Sequence, residues 1–135
     1  MNTPATLLKI AALATLVTAG AANAATELVV NGSFESNAIS SPYAQLSAVT
    51  GWTSSVSGNT AFEIQKGATQ GGLSGFNPVA ADGMQYLELN TESLSSTYQT
   101  IATTAGGTYA LSFAYSGRPD TPGGASSLMN VYWGS

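Results

Sequence analysis

The chain has no cysteine and no histidine, and charged residues make up only 7% of its 135 residues. The absence of cysteine excludes disulfides, thiol nucleophiles and cysteine-held zinc. The absence of histidine removes the most common general base and a frequent metal ligand. This composition disfavours most classes of enzyme, so we expect a protein that is not an enzyme. Carboxylate-only chemistry is the catalytic option that the composition leaves open.

Basic residues are also scarce. Three Lys and Arg stand against seven Asp and Glu, which gives a formal net charge of −4 and an isoelectric point near 4.3. Proteins that bind nucleic acid depend on clustered Lys and Arg to displace the counterions of the phosphates. The charge balance therefore argues against a nucleic-acid partner.

The first 24 residues have the pattern of an export signal. A short start that carries Lys9 precedes an apolar run at residues 10–19, and Ala-Asn-Ala at residues 22–24 matches a cleavage site. An apolar run of about ten residues is too short to cross ~30 Å of hydrocarbon. We therefore expect cleavage near Ala24, a domain over residues 25–135 with no membrane span, and a product that is secreted or held at the cell surface or in the periplasm.

Apolar and polar residues alternate with a period of two along the rest of the chain. The clearest case is 108–115, where large apolar side chains alternate with small or polar ones. The same pattern predicts strands at 62–65, 85–90 and 128–133, a short β-prone run ended by Asn-Gly predicts one at 27–30, and 51–56 and 97–102 are further candidates. With no amphipathic helix among them, these segments predict an all-β fold, an antiparallel β-sandwich or jelly roll.

Two glutamates lie on the polar sides of these strands. Glu63 and Glu88 are opposite in phase to the apolar residues of their segments. A glycosidase needs two carboxylates roughly 5–9.5 Å apart, one of them with a raised pKa. Because the alternation predicts that both side chains are solvent-exposed, a catalytic pair is the least favoured interpretation.

Five short motifs follow one another in the order found in a known group of proteins. They are NGSFE at 31–35, GW at 51–52, GMQYLEL at 83–89, YALSFAYSGRP at 109–119 and NVYWG at 130–134. Together they resemble the secreted galactose-binding-like β-sandwich domains of bacterial proteins of the PEP-CTERM, exosortase-sorted type. The resemblance implies a carbohydrate-binding or cell-envelope role without catalysis.

The resemblance also bears on the end of the chain. The closing strands and the sorting tail of the group are absent from the sequence, so we expect a domain that is incomplete at its C-terminal end. Missing strands leave an apolar sheet edge unpaired, and an unpaired edge invites self-association.

One carboxylate is a candidate metal ligand. In related carbohydrate-binding sandwiches the glutamate that matches Glu35 holds a structural Ca²⁺ together with backbone carbonyls, so the resemblance implies calcium at Glu35. Ligation by oxygen alone suits this ion, which takes 6 to 8 oxygens. The alternative is that Glu35 is a solvated carboxylate or one that caps a turn.

Five residues are candidates for ligand contact. Flat aromatic side chains offer a large contact to the apolar face of a sugar ring, and the planar guanidinium of an Arg binds a carboxylate or a diol with two hydrogen bonds. The candidates are Arg118, Tyr132, Tyr86, Tyr43 and Trp52. Core packing is the alternative for Trp52 and the one that its neighbours favour, as they also do for Trp133.

The sequence therefore predicts an exported, non-catalytic protein that binds polysaccharide or a cell-envelope glycan. The alternative is a structural, self-associating surface protein without a sugar site, and a carboxylate-based glycoside hydrolase is the least favoured function. The three hypotheses differ in whether the surface of the protein binds a glycan, binds another copy of the protein or catalyses hydrolysis.

Overall fold

The computed structural model describes residues 26–68, 72, 78–89, 91–117 and 128–134. The export signal, Arg118 and most of the glycine-rich loop after residue 68 lie outside these residues. Five strands are present in the described part of the chain: β1 (Tyr43–Leu46), β2 (Thr53–Ser54), β3 (Phe62–Lys66), β4 (Gln85–Glu88) and β5 (Thr97–Tyr98). Every pairing between them is antiparallel, and the described residues contain no α-helix. The fold is all-β, as the periodicity predicted.

The larger sheet has three strands in the order β1-β3-β4. Its central strand, β3, pairs along both edges, with Ile64 opposite Ala44 of β1 and Leu87 of β4. The smaller sheet joins β2 to β5, with Thr53 opposite Tyr98. Because β3 has a partner on each side, its position fixes the register of the whole three-stranded sheet.

The core lies on one face of this sheet. Val49, Ala61, Phe62 and Ile64 are buried, and Ile64 is fully inaccessible to solvent. Partly buried apolar side chains from the loop before β1 and from the neighbouring strands pack against them: Phe34, Ile39, Leu46, Trp52 and Leu87. The apolar phase of β3, at residues 62 and 64, is thus the phase that the alternation predicted to face the core.

The turn that follows Val30 explains how the N-terminal segment reaches the core. Asn31 and Phe34 have positive φ angles of 54° and 64°, and the Asn31 side chain accepts a hydrogen bond from Ser36 N at 3.0 Å while it donates to Thr50 O at 2.9 Å. Asparagine tolerates this left-handed conformation because its short polar side chain bonds locally. The turn therefore brings Phe34 against the core.

Several strand predictions were wrong. Residues 27–30 form no strand and end in a turn, and residues 108–115 and 128–133 make no strand pairing with the described residues. Trp133, for which the neighbouring residues favoured core packing, is 58% exposed, and Tyr109 is 38% exposed. Alternation identifies a segment that suits a sheet, but a strand forms only where a partner supplies hydrogen bonds and cover.

Other predictions were only partly correct. The segments 51–56 and 97–102 contribute just the two-residue strands β2 and β5, whereas 62–65 and 85–90 correspond to β3 and β4. Strand β1 was missed because YAQL has a single strongly apolar residue, Leu46. Its pairing with β3 is what makes it a strand.

Truncation of the core should show how far stability depends on β3. We expect Ile64→Ala to lower the free energy of unfolding by about 2–5 kcal/mol, because it removes a fully buried side chain and leaves a cavity. Urea denaturation followed by circular dichroism measures the change. The control is Leu94→Ala, at a side chain that is 87% exposed, where the effect should stay within about 0.5 kcal/mol. Equal effects of the two substitutions would contradict this core.

Candidate functional site

The face of the three-stranded sheet opposite the core carries polar and aromatic side chains in two cross-strand rows. We call this surface the tyrosine face. One row runs Tyr43, Gln65, Tyr86 and the other runs Gln45, Glu63, Glu88. These residues occupy alternate positions of β1, β3 and β4, opposite in phase to the core residues. The strand that builds the core therefore also builds this face.

Hydrogen bonds join the two rows. The Gln65 amide donates from Nε2 to Glu63 Oε1 at 2.8 Å and also to Glu88 Oε2. Its carbonyl Oε1 accepts from the Tyr86 hydroxyl at 3.0 Å. Both donor hydrogens of this amide and one lone pair are engaged, so Gln65 holds its neighbours in fixed positions.

A second amide extends the network toward the outer edge. Gln45 Nε2 donates to Glu63 Oε2 at 3.4 Å and to Glu92 Oε1 at 3.1 Å. Two neutral amides thus connect the carboxylates of Glu63, Glu88 and Glu92. Networks of this kind restrict side-chain rotamers and preorganise a polar surface.

The prediction that Glu63 is solvent-exposed was wrong, since the side chain is only 9% exposed. Glu63 lies on the central strand, and the side chains of Gln45 and Glu88 flank it on both sides. Alternation gives the phase of a residue, but burial on a sheet face also depends on whether the strand is central or at an edge. Its hydrogen bonds to Gln45 and Gln65 satisfy the carboxylate in this setting.

Two of the predicted ligand contacts come together here. Tyr43 is 48% exposed and Tyr86 is half-buried, and they flank Gln65 in one row. From the sequence these two tyrosines belonged to separate segments, because β1 was not predicted. The cross-strand register is therefore the information that unites them.

Trp52 belongs to the core packing. Its ring stacks on Phe34 with centroids 5.4 Å apart and planes inclined by 29°, and its indole Nε1 donates to Asn31 O at 3.1 Å. Both contacts agree with core packing, which the neighbouring residues in the sequence favoured for Trp52.

The remaining ligand candidates lie apart from the tyrosine face or outside the described residues. Tyr132 is 82% exposed in a segment that makes no strand pairing with the described residues, and Arg118 lies outside the described residues. Both stay predictions.

Glu35 connects the N-terminal loop to the start of β4. Its Oε1 accepts hydrogen bonds from the backbone N–H groups of Met84 and Gln85, both at 2.7 Å. Gly83, which has a φ of 70°, makes this approach possible, because a Cβ at that position would lie 2.5 Å from Glu35 Oε1. This carboxylate therefore caps a backbone turn.

The buried Gln85 side chain supports the same connection. It accepts from Ile39 N at 2.8 Å and donates to the carbonyls of Phe34 and Asn37 at 2.9 and 3.2 Å. This role could not be predicted from the sequence, since a single Gln at the start of a strand belongs to no recognisable pattern. Together Glu35 and Gln85 fix residues 34–39 against β4.

Calcium at Glu35 stays a prediction. Within the described ranges, no group of three or more His, Cys, Asp and Glu side chains is placed to hold a metal ion. Among the described residues, Glu35 Oε1 accepts hydrogen bonds from two backbone N–H groups, whereas calcium is held by oxygen ligands.

A shallow cleft of about 300 Å³ lies in the C-terminal part of the chain, lined by Gly107, Tyr109, Leu111 and Trp133. The rings of Tyr109 and Trp133 are 6.2 Å apart and inclined by 31°. Tyr109 accepts a hydrogen bond from Thr104 N at 2.6 Å. This cleft is mostly apolar, in contrast to the tyrosine face.

Comparisons of the chain with protein-family models, with curated proteins and with solved structures found no match. Among the described residues, no helix has the length and apolar character needed to cross a membrane.

Replacement of Glu35 tests its structural role. We expect Glu35→Ala to lower the free energy of unfolding by about 1–2 kcal/mol, because two backbone N–H groups lose a charged acceptor. Glu35→Gln should cost less, since it keeps a carbonyl oxygen as acceptor. Thermal denaturation of the three proteins measures the difference. If Glu35→Ala is as stable as the parent, the Glu35 carboxylate does not stabilise this turn.

The same denaturation experiment, repeated with calcium and with a chelator, separates the turn from an ion site. An ion that binds only the folded state adds about 2.7 kcal/mol at 100 times its dissociation constant. A midpoint that rises with calcium in the parent and not in Glu35→Gln would support calcium at Glu35. An unchanged midpoint in the parent would contradict it.

Proposed function

We propose that this chain is an exported, non-catalytic protein that binds glycans through the tyrosine face. The observation that supports this most is the cross-strand row in which Tyr43 and Tyr86 flank Gln65. Two aromatic rings on one side of a sheet provide the apolar contact that a sugar ring needs. The neighbouring carboxylate and amide oxygens provide acceptors for its hydroxyl groups, since both amides already use their donor hydrogens within the face.

The hydrogen-bond network favours binding because it reduces the cost of ordering side chains. Gln65 is held by Glu63, Glu88 and Tyr86, so its position in the free protein is already restricted. A glycan gains little from each hydrogen bond, since its hydroxyls leave water to form it. Preorganised side chains therefore matter more for this ligand than for an apolar one.

The export signal and the fold type belong to the same proposal. We take the chain to be a galactose-binding-like β-sandwich or jelly-roll domain of the secreted PEP-CTERM type, cleaved near Ala24 and located outside the cell, at the cell surface or in the periplasm. The antiparallel sheets and the acidic composition support this assignment. Its partner would be a polysaccharide or an envelope glycan.

The structural alternative is supported by a different observation. Tyr109, Leu111, Phe113 and Tyr115 are each between 38% and 58% exposed, which leaves an apolar surface that a second copy would cover. On this hypothesis the protein self-associates without a sugar site.

Affinity electrophoresis in gels that contain neutral or acidic polysaccharides tests glycan binding. We expect at least one polysaccharide to retard the parent protein, and Tyr43→Ala to weaken that binding about tenfold, equivalent to about 1.4 kcal/mol. The matched control is Tyr98→Ala, which removes a tyrosine of similar exposure from β5 in the other sheet. That variant should migrate like the parent, and Tyr132→Ala tests the remaining aromatic candidate.

Three outcomes would contradict the proposal. Retardation by no polysaccharide, with folding intact by circular dichroism, would leave the self-associating hypothesis, which sedimentation then tests. If Tyr43→Ala and Tyr98→Ala weaken polysaccharide binding equally, the tyrosine face is not the binding surface. Hydrolysis of a polysaccharide that disappears in Glu63→Gln or Glu88→Gln would establish an enzyme.

A further inference from the structure

Asn31 is followed by Gly32, and this is the only Asn-Gly pair in the sequence. Asparagine is a chemically labile residue, and a glycine that follows it leaves its own backbone nitrogen unhindered, because glycine has no side chain. Gly32 N can therefore attack Asn31 Cγ and form a cyclic imide, while Nδ2 leaves as ammonia with the proton of the attacking nitrogen. Water then opens the imide at either carbonyl, which leaves aspartate or isoaspartate at position 31.

Three hydrogen bonds hold the Asn31 amide in the folded protein. Its Oδ1 accepts from Ser36 N at 3.0 Å, and its Nδ2 donates to Thr50 O at 2.9 Å and to Asn37 Oδ1 at 3.4 Å. Because the Ser36 N–H only donates and the Thr50 carbonyl only accepts, one orientation of the amide satisfies both. Attack makes Cγ tetrahedral and finally removes Nδ2, so the reaction has to break these bonds.

The backbone of Asn31 is held as well. Its carbonyl oxygen accepts hydrogen bonds from Phe34 N and from the indole Nε1 of Trp52, both at 3.1 Å. The side chain and the main chain of this residue thus have native partners on two loops, 33–37 and 50–52. We therefore expect the reaction to require local opening of the turn.

The product of the reaction does not restore these contacts. Aspartate places a charged oxygen where Nδ2 stood, next to Thr50 O and Asn37 Oδ1, which are both acceptors. Two acceptors that face each other without a hydrogen between them cost free energy, and the Thr50 carbonyl loses its donor. Isoaspartate also lengthens the backbone of the turn by one carbon atom.

The turn at Asn31 attaches the N-terminal segment to the sheet. It leads to Phe34, which packs against the core, and the Gln85 amide donates to the carbonyls of Phe34 and Asn37. A change at Asn31 therefore loosens a segment that is bonded to the first residue of β4.

We propose that Asn31 is a deamidation site that the fold protects and that unfolding exposes. A chain that stays open at this turn reacts irreversibly, and the product refolds to a less stable state. The site thereby records past unfolding of the protein, a property that does not depend on the proposed function.

The first test compares the reaction in the folded and the unfolded chain. The full chain is incubated in mildly alkaline buffer with and without urea that unfolds it, and mass spectrometry follows the peptide that contains Asn31. We expect deamidation there to be at least about tenfold slower in the folded protein, which reacts only through its open fraction. An unstructured peptide of residues 27–36 in the same buffers corrects for any effect of urea on the chemistry.

Gly32→Ala is the matched control for the attacking nitrogen. A Cβ at this position would lie 3.4 Å from Val29 Cγ1, an ordinary contact, so the variant should fold like the parent. Its methyl group hinders the attack and leaves the hydrogen bonds of Asn31 in place. Deamidation of this variant in urea should be several-fold slower than that of the parent.

Asn31→Asp supplies the aspartate product without the reaction. We expect its thermal midpoint to lie about 4–8 °C below that of the parent, because a buried donor becomes a charged acceptor. Asn59→Asp makes the same change in charge at an exposed asparagine, and its midpoint should stay within about 2 °C of the parent. Failure of Asn31→Asp to fold beside a folded Asn59→Asp would support the proposal.

The remaining outcomes would overturn the proposal. Equal rates at Asn31 in the folded and the unfolded chain would show that the fold gives no protection. Faster modification of another asparagine in urea, or an unchanged rate in Gly32→Ala, would show that the Asn-Gly pair is not the reactive site. If Asn31→Asp is as stable as Asn59→Asp, the modification does not weaken the turn. None of these results depends on whether the protein binds a glycan.

Discussion

The double pairing of β3 is the constraint on which the described structure depends. This strand has a hydrogen-bonded partner along each edge, and its residues 62–65 are buried on both faces of the sheet. Phe62 and Ile64 supply the core, while Glu63 and Gln65 supply the tyrosine face. Since alternate residues of one strand serve the two faces, a change of register by one residue would exchange them and destroy both.

The functional proposal follows from this arrangement. The core holds β3 in place, and β3 in turn sets Gln65 between Tyr43 and Tyr86. Glu35 and Gln85 fix the start of β4 from the N-terminal side, so the Tyr86 edge of the face is connected to the loop that also packs on the core. Stability and the proposed glycan contact therefore depend on the same few residues, and a glycan that bridges the strands would also stabilise the sheet.

The sequence predicted the parts of the structure that a single strand carries by itself. The strand at 62–65 and its core phase, the strand at 85–90 and the antiparallel all-β character were correct. Periodicity does not predict which strands pair, so β1 was missed, and the segment 108–115, which has the clearest alternation, makes no strand pairing with the described residues. For the same reason the apposition of Glu63 and Glu88, and the row that unites Tyr43 with Tyr86, required the register.

Amide hydrogen exchange followed by nuclear magnetic resonance tests the role of β3 most directly. An amide that is hydrogen-bonded in the most stable part of a fold exchanges only through global opening. The amides of β3 should therefore exchange more slowly than those of 109–115 and of the other segments that the structure describes. Strong protection over 109–115 with fast exchange over Phe62–Lys66 would contradict the account.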